Sequence, residues 1–140
     1  MKIKIYFKGS KKLKAFNKRE WPSANFEHFG HNQEWNAKRY VLEAYDEKEL
    51  VGTLGFKTEA GVAYIGTMLV AQDQRKKGIG RLLMEEAKKI SKRDKAHKIY
   101  LQTGKDWQAV RFYKNLGYKI TGQLPNHYFG KDFVELTLFI

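Results

Sequence analysis

The sequence predicts an α+β fold in which a mixed, mostly antiparallel sheet carries helices on both faces. Between residues 38 and 70, short strand-like segments are joined by short turns, a pattern typical of an antiparallel meander. After residue 71, segments of helical periodicity alternate with short strands, so the predicted order is β-αα-β-β-β-α-β-α-β-β. A chain of 140 residues can bury one sizeable core, and we expect a single domain over residues 1–140.

The first half of the chain is predicted to contain four strands and one or two short helices. Lys2–Phe7 alternates as a half-buried first strand does. Apolar spacing over Lys11–Trp35 fits helical structure that is interrupted at Pro22. The three strands of the meander are expected at residues 38–45, 50–57 and 64–70, with turns at 46–49 and 58–61.

The second half is predicted to alternate helices with strands. A polar loop over residues 71–77 precedes a helix that places Ile79, Leu83, Ala87 and Ile90 on one face. A strand over residues 98–103 leads to a second helix, in which Asp106 is the expected N-cap and Gly117 the left-handed end. Residues 118–124 and 132–140 are the expected terminal strands.

The net charge of +12 is the one unusual feature of the composition. It arises from 27 Lys and Arg residues against 15 Asp and Glu residues, with basic clusters over residues 8–19 and 88–98. A charged surface that keeps the protein soluble is the simpler interpretation. The alternative hypothesis is a basic nucleic-acid-binding module without catalysis. No helix-turn-helix, zinc or RNA-binding signature supports that alternative, so nucleic acid is disfavoured as a partner.

Several classes of protein do not fit the sequence. The apolar runs are far shorter than the roughly 20 residues of a membrane helix, and the N-terminus lacks the block pattern of a signal peptide. The absence of cysteine excludes disulfides, thiolate metal sites and a cysteine nucleophile. We therefore expect a cytoplasmic monomer or homodimer that binds neither a membrane nor a metal.

The segment Arg75–Gly80 is a basic turn with two glycines that opens a helix. Such a turn can bind an anion, because its backbone N–H groups converge and the helix dipole adds positive potential. It is not a dinucleotide fingerprint, since Leu83 occupies the third glycine position, and no Ser or Thr follows as a nucleotide-triphosphate loop requires. Two interpretations of this turn are therefore left: a pyrophosphate site of another kind, and a simple loop.

Two motifs in this half of the chain resemble the GNAT family of N-acetyltransferases. Arg75–Gly80 matches the family's Arg/Gln-x-x-Gly-x-Gly/Ala signature, and Ala109–Tyr118 resembles its Ala-x-x-Phe-Tyr-x-x-x-Gly-Phe/Tyr segment. The resemblance extends from Leu50 to the C-terminus, whereas the first 45 residues match only in the order of elements. It implies a GNAT fold with about six or seven strands and a splayed central strand pair, and an acetyl-CoA-dependent transferase of the acyltransferase class.

The resemblance also implies which residues bind acetyl-CoA, the acyl donor substrate. The backbone of Met68, Leu69 and Val70 would pair with the pantetheine arm, and the turn would hold the pyrophosphate. Asp106 falls where many relatives carry an Asn that bonds the donor, although a helix N-cap is the favoured interpretation. The implied contacts are Met68, Leu69, Val70, Arg75, Lys76, Lys77, Gly78, Ile79, Gly80, Arg81 and Asp106.

The reaction implied is direct attack of a primary amine on the thioester carbonyl. Tyr113 occupies the position of the family's general acid; the alternative is a core aromatic, and the acid role is favoured. Where relatives carry a carboxylate as general base, this chain has Tyr64. The sequence therefore leaves four candidates for the general base: Glu43, Glu59, His127 and a chain of water molecules.

The acceptor is not determined by the sequence. Residues 124–132 resemble the final hairpin of Nα-acetyltransferases, but His127-Tyr128 stands where those proteins have a Tyr-Tyr pair. A small-molecule amine and a peptide or protein N-terminus both stay possible, while the positive charge argues against polyamines. His28, His31 and Trp35 either line the acceptor site or pack the N-terminal helices.

Overall fold

The computed structural model describes residues 1–140, which divide into two units, residues 1–35 and residues 36–140. The first unit contains helix α1 (Leu13–Phe29), which ends at Gly30 in the left-handed conformation with φ +80°. Pro22 lies inside this helix, so the predicted interruption is wrong. Proline removes only one helical hydrogen bond, and the carbonyl it would have bonded belongs to the exposed residue Lys18, where water can replace the bond.

The predicted first strand, Lys2–Phe7, is also wrong. Residues 1–6 have no regular secondary structure, and the side chains of Ile3, Ile5 and Phe7 are exposed. A strand is stable only when a neighbour satisfies its backbone groups, and the sheet of the protein does not include this segment. Alternation of polar and apolar residues is therefore not sufficient to predict a strand in this segment.

The second unit is a six-stranded sheet with two helices, in the strand order β1-β2-β3-β4-β6-β5. Its elements are β1 (Lys38–Asp46), β2 (Glu49–Glu59), β3 (Val62–Val70), α2 (Ile79–Arg93), β4 (Lys98–Gly104), α3 (Ala109–Asn115), β5 (Lys119–Leu124) and β6 (Phe133–Phe139). Only β3 and β4 pair in parallel. The predicted mixed, mostly antiparallel sheet is confirmed, and its elements begin and end within a few residues of the predicted positions.

Helices α2 and α3 pack on the same face of the sheet, which we call the core face. A Cβ added at Gly52 of β2 would lie 3.2 Å from Leu83 of α2, and one added at Gly117, just after α3, would lie 3.5 Å from Leu138 of β6. Large fully buried side chains on this face are Leu54, Ile99, Leu101, Val134 and Leu136. The opposite face, which we call the open face, carries the alternate residues, among them Tyr64 and Tyr100, whose ring centroids are 4.9 Å apart.

The parallel pair β3–β4 separates after four residue pairs. Pairing runs from Val62 with Lys98 to Ile65 with Leu101 and stops there. Gly66 follows as an extra residue in β3, because the register with β2 shifts between Gly55 and Phe56. Residues 67–70 of β3 and 102–104 of β4 consequently border an opening, which we call the fork. The splayed central pair predicted from the family resemblance is confirmed.

The buried Asp94 carboxylate at the C-terminus of α2 ties this helix to β1 and β2. It accepts hydrogen bonds from Tyr40 Oη at 2.6 Å and Thr58 Oγ1 at 2.8 Å, while Lys38 and Arg93 lie within salt-bridge distance. These hydrogen bonds, that from Tyr40 most of all, hold the pKa of Asp94 below its usual range although burial opposes them. Nothing in the local sequence predicted this network.

Candidate active site

The glycine turn Arg75–Gly80 leads from β3 into α2 with an unusual backbone. Lys76 and Gly78 both have positive φ, +64° and +84°, and Gly78 is the N-terminal cap residue of the helix. No heavy atom lies within 4 Å of a Cβ added at Gly78. The Arg75 side chain donates from Nε to the carbonyl of Val70 at 3.4 Å, which ties the turn to the end of β3. The space above Gly78 is therefore open to a ligand.

The first turn of α2 is close to the fork and to α3. A Cβ added at Gly80 would lie 3.2 Å from Phe112 Cζ and 3.6 Å from Met68 Cε. A side chain at residue 80 would thus require the Phe112 ring to shift. No acidic residue lies in this first turn. The cations predicted to contact the donor, Arg75, Lys76, Lys77 and Arg81, are all exposed. The turn combines free backbone donors, a helix N-terminus and positive charge, as an anion site requires.

Tyr113 is buried on the core face, in contact with Phe112 and Tyr118. Burial raises the pKa of Tyr113 to about 12, so the phenol is neutral at physiological pH. Its hydroxyl makes no hydrogen bond to another protein group, and no fully buried polar side-chain atom lacks a partner, so the oxygen must reach solvent. Tyr113 thus keeps a proton and presents it at an accessible point.

Asp106 is not the N-cap of α3, and the predicted capping role is wrong. The cap residue is Gln108, and no side chain bonds the first helical N–H groups. The helix starts later because Trp107 forms a turn with Gly104, its N–H donating to that carbonyl at 3.1 Å. Asp106 is exposed on the loop that follows β4.

The β5–β6 loop, residues 125–132, places His127 over the open face of the sheet. The His127 N–H donates to the Lys131 carbonyl at 2.7 Å, and its own carbonyl accepts from the Gly130 N–H at 3.1 Å. The Asn126 N–H donates to Asp132 Oδ1 at 2.9 Å, which closes the loop at its base. The backbone of His127 is consequently held from both sides.

The His127 ring reaches the fork. Its Nε2 lies 3.1 Å from Oε1 of Gln102, the first residue of β4 beyond the last pair with β3. The ring is packed between Tyr128 and Phe133, with centroids at 4.3 and 5.4 Å. Tyr64 lies nearby: burial raises its pKa, and the neighbouring Tyr128 and Tyr100 add to the effect. An aromatic-walled surface therefore surrounds His127 at the open face of the fork.

The other base candidates are engaged elsewhere. Glu43 accepts a hydrogen bond from Tyr45 Oη at 3.0 Å, and Glu59 forms a salt bridge with Lys57 at 2.8 Å. Sequence reasoning missed Gln102 altogether. Its only signal was a polar residue on the open face of an otherwise apolar strand, and its partner is 25 positions away in sequence.

The first unit contains the remaining residues that were considered for the acceptor site. His31 lies 3.3 Å from the Asn32 carbonyl through Nδ1 and 3.1 Å from the Gln33 amide through Nε2. The Trp35 ring contacts Phe29 edge to face. His31 and Trp35 thus interact with other residues of this unit.

A family model described as the acetyltransferase (GNAT) family matches residues 10–118. The chain belongs to this family. The predictions of a GNAT fold and of a GNAT-family acetyltransferase are confirmed.

Solved structures of similar fold agree with this membership. An acetyltransferase from Bacillus cereus ATCC 14579 is 20% identical, with a TM-score of 0.74 over 98% of each chain. A GNAT acetyltransferase from Elizabethkingia anophelis with acetyl-CoA bound is 19% identical, with a TM-score of 0.67 over 71% of this chain and 75% of that one. The ribosomal-protein-S18-alanine N-acetyltransferase from Escherichia coli is 17% identical, with a TM-score of 0.67 over 81% of this chain and 76% of that one.

Metal-binding clusters and membrane-spanning helices are both absent from the structure. No group of three or more His, Cys, Asp or Glu side chains is arranged to hold a metal ion. None of the helices combines the length and the apolar character that crossing a membrane requires.

Proposed function

We propose that the protein transfers the acetyl group of acetyl-CoA to a primary amine by direct attack at the fork. The observation that carries the proposal is the junction of two features: a glycine turn with open space above Gly78, and an unpaired strand edge that leads from it to the fork. One feature suits an anion and the other suits an extended amide chain. Acetyl-CoA contains both in the same order.

The donor would be held mainly by backbone groups. The pantetheine amides pair with the free edge at Met68, Leu69 and Val70, as an added strand does. A strand rises about 3.3 Å per residue, so the unpaired edge is roughly 13–16 Å long. The N–H groups of residues 76–81 take the pyrophosphate, with Arg75, Lys76, Lys77 and Arg81 around it. An arm that begins at the turn and follows this edge ends where β3 and β4 converge.

Tyr113 would assist departure of the thiolate. A phenol whose pKa is about 12 is protonated throughout the physiological range and donates a hydrogen bond to sulfur as negative charge develops. It lies on the core face, so the opposite face of the fork is left for the amine. Asp106, exposed on the adjacent loop, is proposed as a further contact of the donor.

The acceptor is proposed as an amine that approaches along the aromatic walls of the open face. Peptide N-termini and small-molecule amines both satisfy this description. Lys98 lies over the Tyr100 ring, 5.5 Å from its centroid, and adds positive charge beside the approach. This disfavours polyamines, as the overall charge does.

A screen of amines and N-terminal peptides that monitors release of CoA tests the proposal. Turnover above the rate of acetyl-CoA hydrolysis with at least one class of amine is expected, together with a higher Tm when acetyl-CoA is added. The proposal would be contradicted if the Tm did not change at millimolar acetyl-CoA and if none of the amines tested caused release of CoA.

A further inference from the structure

We infer that His127 accepts the proton from the acceptor amine and that Gln102 positions its ring; this rests on the proposed acetyl transfer. Gln102 is the first residue of β4 beyond its pairing with β3, so it lies at the fork. Its neighbours Leu101 and Thr103 are buried, and alternation along the strand directs Gln102 to the open face. Gln102 and the His127 ring that it bonds therefore lie on the open face, opposite the core face on which Tyr113 is buried.

The hydrogen bond to Gln102 selects the form of the His127 ring. A carboxamide oxygen only accepts, so Nε2 of His127 carries the hydrogen and Nδ1 carries the lone pair. Nδ1 makes no hydrogen bond within the protein and can take a proton. Because Nε2 keeps its hydrogen in both the neutral and the cationic ring, the bond to Gln102 survives proton uptake.

The surroundings of His127 suit a group that exchanges protons with water. The ring is half-buried, with aromatic rings on its sides and access to solvent. The titratable residues on the elements around it are Tyr64, Lys98, Tyr100, Lys105, Tyr128, Lys131, Asp132 and Glu135.

Two of these residues have defined partners. Glu135 accepts a hydrogen bond from Thr121 at 2.9 Å, and Asp132 accepts one from the Asn126 N–H. Both carboxylates are therefore engaged by neutral donors and neither forms an ion pair. His127 is the one base candidate of the sequence whose side chain is held at the fork.

The proton balance of the reaction leaves one proton for such a group to accept. A primary ammonium gives one proton to Nδ1 of His127, which passes it to water. The free amine attacks the thioester carbonyl, the C–N bond forms and the C–S bond breaks. The nitrogen loses its second proton as the adduct collapses, and this balances the proton taken up by the thiolate beside Tyr113. The products are the amide, CoA and one proton released to solvent.

The decisive experiment compares His127→Gln with the wild type in kcat/KM across pH 6 to 10. We expect a loss of about 10²-fold at pH 7. The two rates should converge near pH 10, because an alkyl amine of pKa about 10 then needs no base. Imidazole added to His127→Ala should restore part of the activity. A loss that is constant across pH, or no loss, would overturn the inference.

His97→Gln is the matched control. His97 is an exposed histidine directly before β4, at the end of this strand away from the fork. The same substitution there should leave kcat/KM unchanged at every pH. The acetyl-CoA-induced rise in Tm should be the same in wild type, His127→Gln and His97→Gln, which separates a failure of this inference from a failure of the proposed function.

Gln102 is tested by nitrogen NMR of the His127 ring, which needs no turnover. The wild type should show neutral His127 protonated at Nε2. Gln102→Leu should shift the Nε2–H resonance, because its acceptor is removed, and should lose part of the activity at pH 7, while Gln102→Glu, which retains an acceptor, should keep the hydrogen bond and the activity. A ring protonated at Nδ1 in the wild type, or one unaffected by Gln102→Leu, would overturn the positioning role.

Discussion

The two sides of the fork are built in different ways. The side that we propose for acetyl-CoA, called the donor side, consists of the glycine turn and the edge of β3, and the groups proposed to bind belong to consecutive backbone residues. The side that we propose for the amine, called the acceptor side, depends on side chains from β3, β4, β6 and the β5–β6 loop, which only the fold brings together. A short motif therefore suffices to specify the first, whereas the second depends on contacts between distant residues.

The largest expected effect is on the donor side. Gly78→Leu should abolish the acetyl-CoA-induced rise in Tm, because the side chain would fill the space above the turn and strain a residue at φ +84°. Gly30→Leu is a matched control, since Gly30 also has positive φ, +80°, and open space around it. It should be destabilised to a similar degree and still respond to acetyl-CoA. An unchanged response of Gly78→Leu would show that the turn does not bind the donor.

Removal of one hydroxyl tests the chemistry between the two sides. Tyr113→Phe should lower kcat by about 10²-fold, with the KM for acetyl-CoA nearly unchanged. Tyr118→Phe is the control, because burial raises the pKa of this neighbouring tyrosine as well. Steady-state kinetics should show it close to wild type. Equal losses in the two variants would assign Tyr113 to the core alone.

A change in the packing around Phe133 should affect the acceptor side and leave the donor side unchanged. Phe133 contacts Trp107, His127 and Tyr128. Phe133→Leu should raise the KM for the amine by up to about tenfold, the equivalent of about 1.4 kcal/mol, and leave the acetyl-CoA response intact. Phe139→Leu, at an exposed position of the same strand, should change neither value. A rise in both KM values would show that the two sides are coupled.

The smallest effect on activity is expected at Asp94, which touches neither side. Asp94→Asn should lower the free energy of unfolding by about 1–3 kcal/mol, since it weakens hydrogen bonds to a buried charge. The pKa of Asp94 is depressed in the folded state, so its contribution is complete above the unfolded value of about 3.9 and is lost as pH falls through the folded value. Urea unfolding should show a difference between wild type and variant that narrows below pH 4. A difference that grows on acidification would contradict the sign.

The sequence predicted what local chemistry determines. The glycine turn that precedes α2, the left-handed Gly117 after α3 and the strands of the meander all follow from residues within a few positions of one another. The predictions that were wrong failed because of tertiary structure or solvent exposure, which the local pattern does not contain. Lys2–Phe7 has the strand pattern but no partner strand, Pro22 costs too little to interrupt an exposed helix, and a turn around Trp107 displaces Asp106 from the cap.

The candidate site also contains features that the local sequence determines and features that depend on contacts between distant residues. The residues proposed to bind the donor could be selected from the sequence because a spacing of glycines marks the turn. The bond from His127 to Gln102 was not, because it spans 25 positions and neither residue type is unusual in its own segment. The resemblance to Nα-acetyltransferases drew attention to the loop, but only the register of β4 against β3 and β6 shows which residue meets His127.

Amide hydrogen exchange with and without acetyl-CoA tests the central claim most directly. The account predicts slower exchange on addition of the donor at residues 67–70 and 76–81, where the strand edge and the turn would donate to it. The exposed loop over residues 125–132 should change far less. Protection confined to other segments, or none in either of the two donor segments, would contradict the assignment of the donor to the fork.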